Sequence, residues 1–373
     1  MVTIKRWRSI FNVTNRMYLL GVLSVLVLYQ LWDQNRQLSK FSNSFRRIKR
    51  DMFYFFNPTI LVNINTSYPD RKVESHVDQQ NYVFQSSHIR RTKTGRRIAR
   101  PFSCNSCFVH NFDYVLNNRD ICNTNNGDAS IWVVILIFST HANFNRRKAL
   151  RETWLLPSRR NLGNFRYAFL LGMSQNNSLQ LELEKESAIH KDIVQENFID
   201  SYFNLTYKAV MAMKWVSTYC NEAQYMMKTD DDMYVNTDSL KIALDQYEDL
   251  LYESIGGYCW TRATPLRQRS SKWYASYRMY PQKIYPGFCS GTGYVTSVHM
   301  ARKLFEISPH VPFFHLEDVY MGLCVYALGL TVTSIKGFNL DRVPLGCDYK
   351  SKAVITSHQL EPPHLISIWH LNC

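Results

Sequence analysis

The chain has no internal repeat and no low-complexity tract across its 373 residues, which excludes a repeat array and a compositionally biased, unfolded polymer. Beyond the N-terminal segment it also lacks any basic excess. Residues 1–100 carry 18 of the 44 Lys/Arg and 5 of the 30 Asp/Glu, which leaves 26 against 25 for the remainder. The net charge of +14 therefore belongs almost wholly to the N-terminal segment. The body offers no basic face of the kind a nucleic acid needs, and no nucleic-acid partner is expected. Cys104-x-x-Cys107 has neither a second C-x-x-C nor an H-x-x-H partner, so a disulfide framework is favoured over a zinc site. Nine cysteines leave one thiol over, and the pairing stays open.

One run is apolar and free of charge, residues 17–32 (MYLLGVLSVLVLYQLW), just short of the usual transmembrane length. No small-x-small cleavage site follows it, which favours a signal anchor over a cleaved signal peptide. A short span suits a thin secretory-pathway bilayer. Basic residues flank the run on both sides, so charge does not decide its orientation. All nine cysteines and the sequons at Asn65, Asn176 and Asn204 lie beyond it, an arrangement suited to a C-terminal part in an oxidising lumen. The chain then divides into a cytosolic tail (1–16), an anchor (17–32), a basic luminal stem (33–125) and a folded domain (126–373).

Within the folded part, strand and helix patterns alternate. Residues 131–138 (IWVVILIF) form an unbroken apolar run, the mark of a strand buried on both faces. A basic helix over 144–154, a second strand over 167–172, helices over 179–192 and 205–220, and a third strand over 225–228 follow. This order predicts an α/β fold with a mostly parallel sheet flanked by helices. Ligands of such sheets bind at the carboxyl ends of the strands, where Asp230, Asp231 and Asp232 fall. Carboxylates set behind an apolar strand are costly unless a cation neutralises them, and hard oxygen ligands suit Mg, Mn or Ca. The chemical reading is a divalent metal that holds a diphosphate; the plain alternative is a solvated acidic turn.

Other segments have the same two-sided character. Arg147 and Arg151 share a helix face and stand where they would meet an anionic ligand, or else form a solvated basic face. Residues 286–294 (PGFCSGTGY) lack the lysine of a phosphate loop and the spacing of a dinucleotide fingerprint. Small residues such as Gly291 and Gly293 would let a bulky ligand such as a sugar approach, or simply make a tight turn. Glu317 and Asp318 sit among apolar neighbours, which suits general-base work, although a helix N-terminus also favours acids. His358 reads as an ordinary histidine or as a third metal ligand.

In their order these segments resemble the beta-1,3-galactosyltransferase family, inverting Golgi enzymes that include beta-1,3-N-acetylglucosaminyltransferases and the more distant Fringe proteins. The matching pieces are Arg151-Glu152-Thr153-Trp154, residues 198–206 (FIDSYFNLT), Lys228-Thr229-Asp230-Asp231-Asp232, Ser271-Lys272-Trp273-Tyr274, residues 288–294, Leu316-Glu317-Asp318-Val319-Tyr320 and residues 354–360 (VITSHQL). The resemblance covers about residues 130–373 and leaves out the stem and tail. It implies a GT-A fold, a type II topology in the Golgi membrane through 17–32, a UDP-sugar donor and Mn²⁺. It implies Asp230 and Asp232 at the metal, completed by His358, with Asp230 also facing the ribose. It places Asp231, Arg147 and Arg151 near the UDP, with Asp231 the least important of the acids. Asp318 corresponds to the catalytic base, and Trp273, Gly291, Gly293 and Glu317 to the sugar-binding part. The implied reaction moves galactose from UDP-galactose, in preference to N-acetylglucosamine, onto the 3-hydroxyl of an acceptor glycan on a glycoprotein or glycolipid. A metal-dependent phosphohydrolase or nuclease predicts a basic domain and clustered histidines, neither of which is present. An inactive, membrane-anchored sugar-binding homologue must explain why Asp230, Asp232 and Asp318 are all intact.

Overall fold

The computed structural model describes residues 102–123 and 131–373. The expected tail, the anchor, most of the stem and Asn65 lie outside the described residues. Among the described residues no helix is long and apolar enough to cross a membrane.

Among the described residues, ten strands and eight helices are arranged as follows. The strands are β1 (Tyr114–Asn117), β2 (Val133–Phe138), β3 (Arg166–Met173), β4 (Ile193–Ile199), β5 (Tyr225–Asp230), β6 (Tyr234–Val235), β7 (Gly256–Trp260), β8 (Phe288–Ser297), β9 (Thr333–Ser334) and β10 (Thr356–Ser357). The helices are α1 (Phe144–Glu152), α2 (Asn177–His190), α3 (Leu205–Tyr219), α4 (Thr237–Gln246), α5 (Glu248–Leu251), α6 (Val298–Ile307), α7 (Glu317–Ala327) and α8 (Pro362–Trp369). One eight-stranded sheet runs in the order β1-β4-β3-β2-β5-β8-β7-β9, and β6 pairs with β10 apart from it. Strands β4, β3, β2 and β5 are mutually parallel; β8 runs antiparallel to β5, and β7 to β8.

The parallel core follows from the apolar runs. Every residue of β2 is buried, and its side chains alternate between two layers. Val134, Leu136 and Phe138 pack with α3, α6 and α7, whereas Val133, Ile135 and Ile137 pack with α1, α4 and α8. Strand β4 has no counterpart in the sequence reading because Gln195, Glu196 and Asn197 interrupt its apolar residues. In the fold Gln195 and Glu196 are buried but satisfied: Gln195 donates to the Gly172 carbonyl, and Glu196 pairs with His110 and Lys214.

Residues 102–123, within the stretch read as stem, are part of this fold. Strand β1 pairs with β4, and Phe108 is buried against the rings of Tyr207, Phe313 and Tyr320. Cys122–Cys220 ties the segment to the end of α3. It is held by aromatic contacts and a crosslink, which leave no periodic signature in the sequence. The other disulfides are Cys104–Cys107, Cys259–Cys289 and Cys347–Cys373, and Cys324 is the single free thiol, buried. A disulfide framework with one thiol over is what the cysteine count predicts.

Gly322 sets how closely α7 lies on β8. A Cβ there would fall 2.6 Å from both the Gly287 carbonyl oxygen and Phe288 Cβ. Gly322→Ala should therefore cost about 1–3 kcal/mol of stability through overpacking, read as a lower urea midpoint. An unchanged midpoint would show that α7 can move away from the sheet.

Candidate active site

Strands β2 and β5 are parallel neighbours with Phe138 opposite Asp230, and chain order reverses between them. The acidic turn thus sits at the carboxyl end of the strands, at the switch point of the sheet. Its three acids have different surroundings. Asp231 is buried and accepts from Ser139 Oγ at 2.7 Å, Asn143 Nδ2 at 2.9 Å and Arg146 Nη1 at 3.3 Å. It braces the turn against the loop after β2 and the start of α1, with its oxygens already engaged. The expectation that Asp231 binds the cofactor is corrected accordingly.

Asp232 faces His358. The β6–β10 ladder brings the two together, with Thr356 opposite Val235 and Ser357 opposite Tyr234, and Leu360 N–H donates to the Asp232 carbonyl at 2.9 Å. His358 Nε2 lies 3.5 Å from Asp232 Oδ1, and His358 Nδ1 lies 2.8 Å from the Leu340 carbonyl oxygen. A carbonyl can only accept, so Nδ1 carries a hydrogen, and Nε2 is the ring nitrogen turned toward the carboxylate. Burial, then the charge of Asp230, raises the Asp232 carboxyl's pKa, against the pull of His358 and Arg146. A carboxylate crowded by a second carboxylate, with an imidazole nitrogen facing it, is a donor set that a divalent cation would relieve. Among the described residues no group of three or more His, Cys, Asp or Glu is assembled to hold a metal by itself.

Asp230 is paired with Lys228, whose Nζ lies 2.7 Å from Oδ1. Lys228 is only 2% exposed; it also donates to the Gly291 carbonyl and lies 3.7 Å from Glu317 Oε2. Burial disfavours its charge, but Asp230 and Glu317 more than offset that and raise its pKa. The sequence reading passed over Lys228 as the end of a strand. The available signal was a lysine in an apolar strand immediately ahead of the acids.

Glu317 and Asp318 open α7. Glu317 is buried and accepts from the Tyr294 hydroxyl at 2.8 Å; burial lifts its carboxyl to about 7. It therefore supports the site from beneath and does not present itself to a sugar. Asp318 is half-buried, and its Oδ1 accepts from Val319 N–H at 2.8 Å. Burial raises its pKa, opposed by the Val319 N–H, Lys228 and the Gly291 N–H. A Cβ on Gly291 would press to 3.0 Å from Glu317 Oε2, so glycine is what lets β8 approach this pair. Gly293 instead lies within the sheet opposite Thr229, and a Cβ there would meet nothing nearer than 3.4 Å. Trp273 lies in the loop between β7 and β8, half-exposed.

Arg147 and Arg151 are not at the ligand surface. Arg147, 1% exposed, makes a two-pronged pair with Glu186 at 2.8 and 2.6 Å and donates to Ser139 Oγ at 3.0 Å. Arg151 pairs with Asp192 at 2.8 and 2.9 Å. The expectation that they bind the UDP is corrected: their charges are spent holding α1 against α2 and the start of β4. Arg146, one position earlier, is the arginine that faces the acidic turn, 3.6 Å from Asp232 and 2.7 Å from Glu361. Helical spacing links Arg147 to Arg151 but does not say which side of α1 meets the cleft. Of the sequons, Asn176 is exposed and caps α2, and Asn204 is half-buried with its amide donating to the Ile199 carbonyl at 2.7 Å.

A mixed sheet with parallel core strands, an acidic turn at its switch point and the Glu317–Asp318 pair alongside define an α/β protein with a candidate site at the carboxyl ends of its strands. Within that class the chain belongs to the galactosyltransferase family, whose pattern matches residues 145–336. It is 37% identical over 319 residues to Beta-1,3-galactosyltransferase 1 of Mus musculus, covering 83% of this chain and 91% of that protein. It is 38% identical over 269 residues to Beta-1,3-galactosyltransferase 2 of Homo sapiens, covering 70% of this chain and 62% of that protein. The solved galactosyltransferase LgtC, in complex with donor and acceptor sugar analogs, covers 61% of this chain and 87% of its own at 12% identity and a TM-score of 0.33, too slight a likeness to argue from.

Proposed function

We propose that this protein is an inverting β-1,3-galactosyltransferase that uses UDP-galactose and a glycan acceptor on a glycoprotein or glycolipid. The observation that carries the reading is the convergence, around buried Lys228, of the acidic turn from β5 and the Glu317–Asp318 pair from α7. Asp232 and His358 would hold Mn²⁺, with Asp230 beside them. When bound, the cation neutralises the diphosphate as UDP departs. Asp318 accepts the proton of the acceptor's 3-hydroxyl; that oxygen bonds to the anomeric carbon as the bond to the diphosphate breaks on the opposite face. The N–H group of Val319 holds the Asp318 carboxylate in place for this step. Lys228 keeps Asp230 and Glu317 from repelling one another in a poorly solvated space.

The same reading places the chain in the Golgi membrane as a type II protein, with tail 1–16, anchor 17–32 and a luminal stem and catalytic domain. The four disulfides among the described residues support an oxidising compartment.

The test is transfer by the full-length chain in detergent, with Mn²⁺, from UDP-galactose and from UDP-N-acetylglucosamine to simple β-glycosides. Galactose transfer that is lost on chelation and restored by Mn²⁺ is the expected result. Transfer from UDP-N-acetylglucosamine alone would overturn the donor. Sugar binding without turnover from either donor would favour the inactive homologue.

A further inference from the structure

The excursion between β7 and β8, residues 261–287, carries a charge pattern that the reaction does not use. It holds six of the 26 Lys/Arg found beyond residue 100 and none of the 25 Asp/Glu, in a body that is otherwise close to neutral. A solvated protein face ordinarily mixes both signs of charge, and this one does not. Arg262, Arg269, Lys272, Arg278 and Lys283 are exposed, and none of the five has an ion-pair partner among the described residues.

The excursion is held in a fixed shape. Cys259–Cys289 crosslinks the two strands at its base. Tyr285 N–H donates to the Ala263 carbonyl at 2.8 Å, and Ala275 N–H to the Leu266 carbonyl at 2.9 Å. Arg267, the sixth basic residue, is engaged internally. Its guanidinium donates to the Ala275 carbonyl at 2.7 Å and the Gln282 carbonyl at 2.8 Å, and lies 4.1 Å from the centre of the Tyr277 ring. Three passes of the chain are thereby drawn onto one residue. Leu266, Trp273, Tyr277 and Ile284 stand within two residues of these contacts, and each is between 39% and 52% exposed. Lys272 Nζ lies 4.6 Å from the centre of the Trp273 ring, so a cation and an exposed indole share one spot.

We propose that residues 261–287 form a docking knuckle for a bilayer that carries acidic phospholipid, so that the folded domain rests on a membrane surface through this excursion. Single exposed apolar residues are ordinary, but a group of them set among unpaired cations is what an interfacial membrane site presents. Rings and aliphatic chains enter the headgroup layer, while Lys and Arg meet the lipid phosphates and carboxylates. A soluble polyanion would engage the cations and leave Leu266, Trp273, Tyr277 and Ile284 in water. Charge complementarity favours an acidic headgroup over a zwitterionic one, because the excursion carries no acid to repel it. The crosslinked base and the Arg267 contacts fix the knuckle beforehand, so little chain entropy is lost on docking. The proposed anchor at 17–32 would keep the domain close to such a surface and so raise its effective concentration there. The inference holds whether or not the site transfers galactose, since it uses neither the acidic turn nor the Glu317–Asp318 pair.

The experiment assembles the full-length chain with phosphatidylcholine nanodiscs, with and without phosphatidylserine, and follows amide hydrogen exchange peptide by peptide. Exchange within residues 266–284 should slow about tenfold when phosphatidylserine is present, and high salt should reverse most of that slowing. The triple variant Arg269→Glu, Lys272→Glu, Lys283→Glu changes only exposed side chains and should abolish the slowing, while β2 and β5 stay as protected as in the parent. Leu266→Ser with Ile284→Ser keeps every charge and should weaken the slowing severalfold. Equal exchange on the two bilayers, in a chain whose β2 and β5 peptides remain protected, would overturn the membrane surface. Protection by soluble heparin but by neither nanodisc would overturn it in favour of an anionic glycan. Slowing that survives the triple variant would show that the cations are not what meets the lipid, and would overturn it as well.

Discussion

Asp318→Asn is expected to lower kcat by about a thousandfold while UDP-galactose still binds, because the variant keeps the shape and loses the acceptor for the 3-hydroxyl proton. Quench-flow or steady-state transfer assays measure the rate, and UDP displacement measures the binding. The effect is predicted to be this large because the neighbouring carboxyl, Glu317, is buried and turned toward Tyr294 and Lys228. The pH profile supplies an independent check. Asp318 works as its ionised form, and burial raises its pKa above that of an exposed aspartate. The parent rate should therefore rise with pH through an acid limb displaced upward from the ordinary carboxylate range, and Asp318→Asn should flatten that limb. Full activity of the variant would remove Asp318 from the reaction.

Arg147→Met is expected to destabilise the protein by about 3 kcal/mol without weakening UDP binding. The substitution leaves Glu186 without its two-pronged partner in a buried position. The loss falls at the low end for a broken buried pair because Arg151 Nη1 stays 2.8 Å from Glu186. Thermal unfolding with and without UDP distinguishes this from a ligand contact. A structural arginine lowers the midpoint and preserves the shift that UDP produces; a UDP-binding arginine does the reverse.

The two variants mark how far local pattern carries a reading of this chain. Strands β2, β3 and β5 were legible because strands buried on both faces read as continuous apolar runs. The acidic turn was legible because acids directly behind such a strand must lie at its end. Strand β4 was not, since its buried Gln195 and Glu196 are paid for by partners distant in sequence. Arg147 and Arg151 were visible as a pair, but i,i+4 spacing is the same whether a helix face meets a ligand or a buried Glu186 and Asp192. Lys228 shows the same limit from the other side: one lysine in a strand gives no sign that Asp230, Gly291 and Glu317 will surround it.

By itself the sequence determined the α/β class, the position of the acids and the candidate base, because period, apolar run length and residue chemistry are local properties. Only the tertiary structure decided which of those side chains are free to act. It seats His358 beside Asp232 through the β6–β10 ladder, turns Asp231 into a brace, and buries Arg147 and Arg151 in ion pairs. The physical reason is that a charge or polar ring is defined by what compensates it, and here the compensating groups come from segments far apart in the chain.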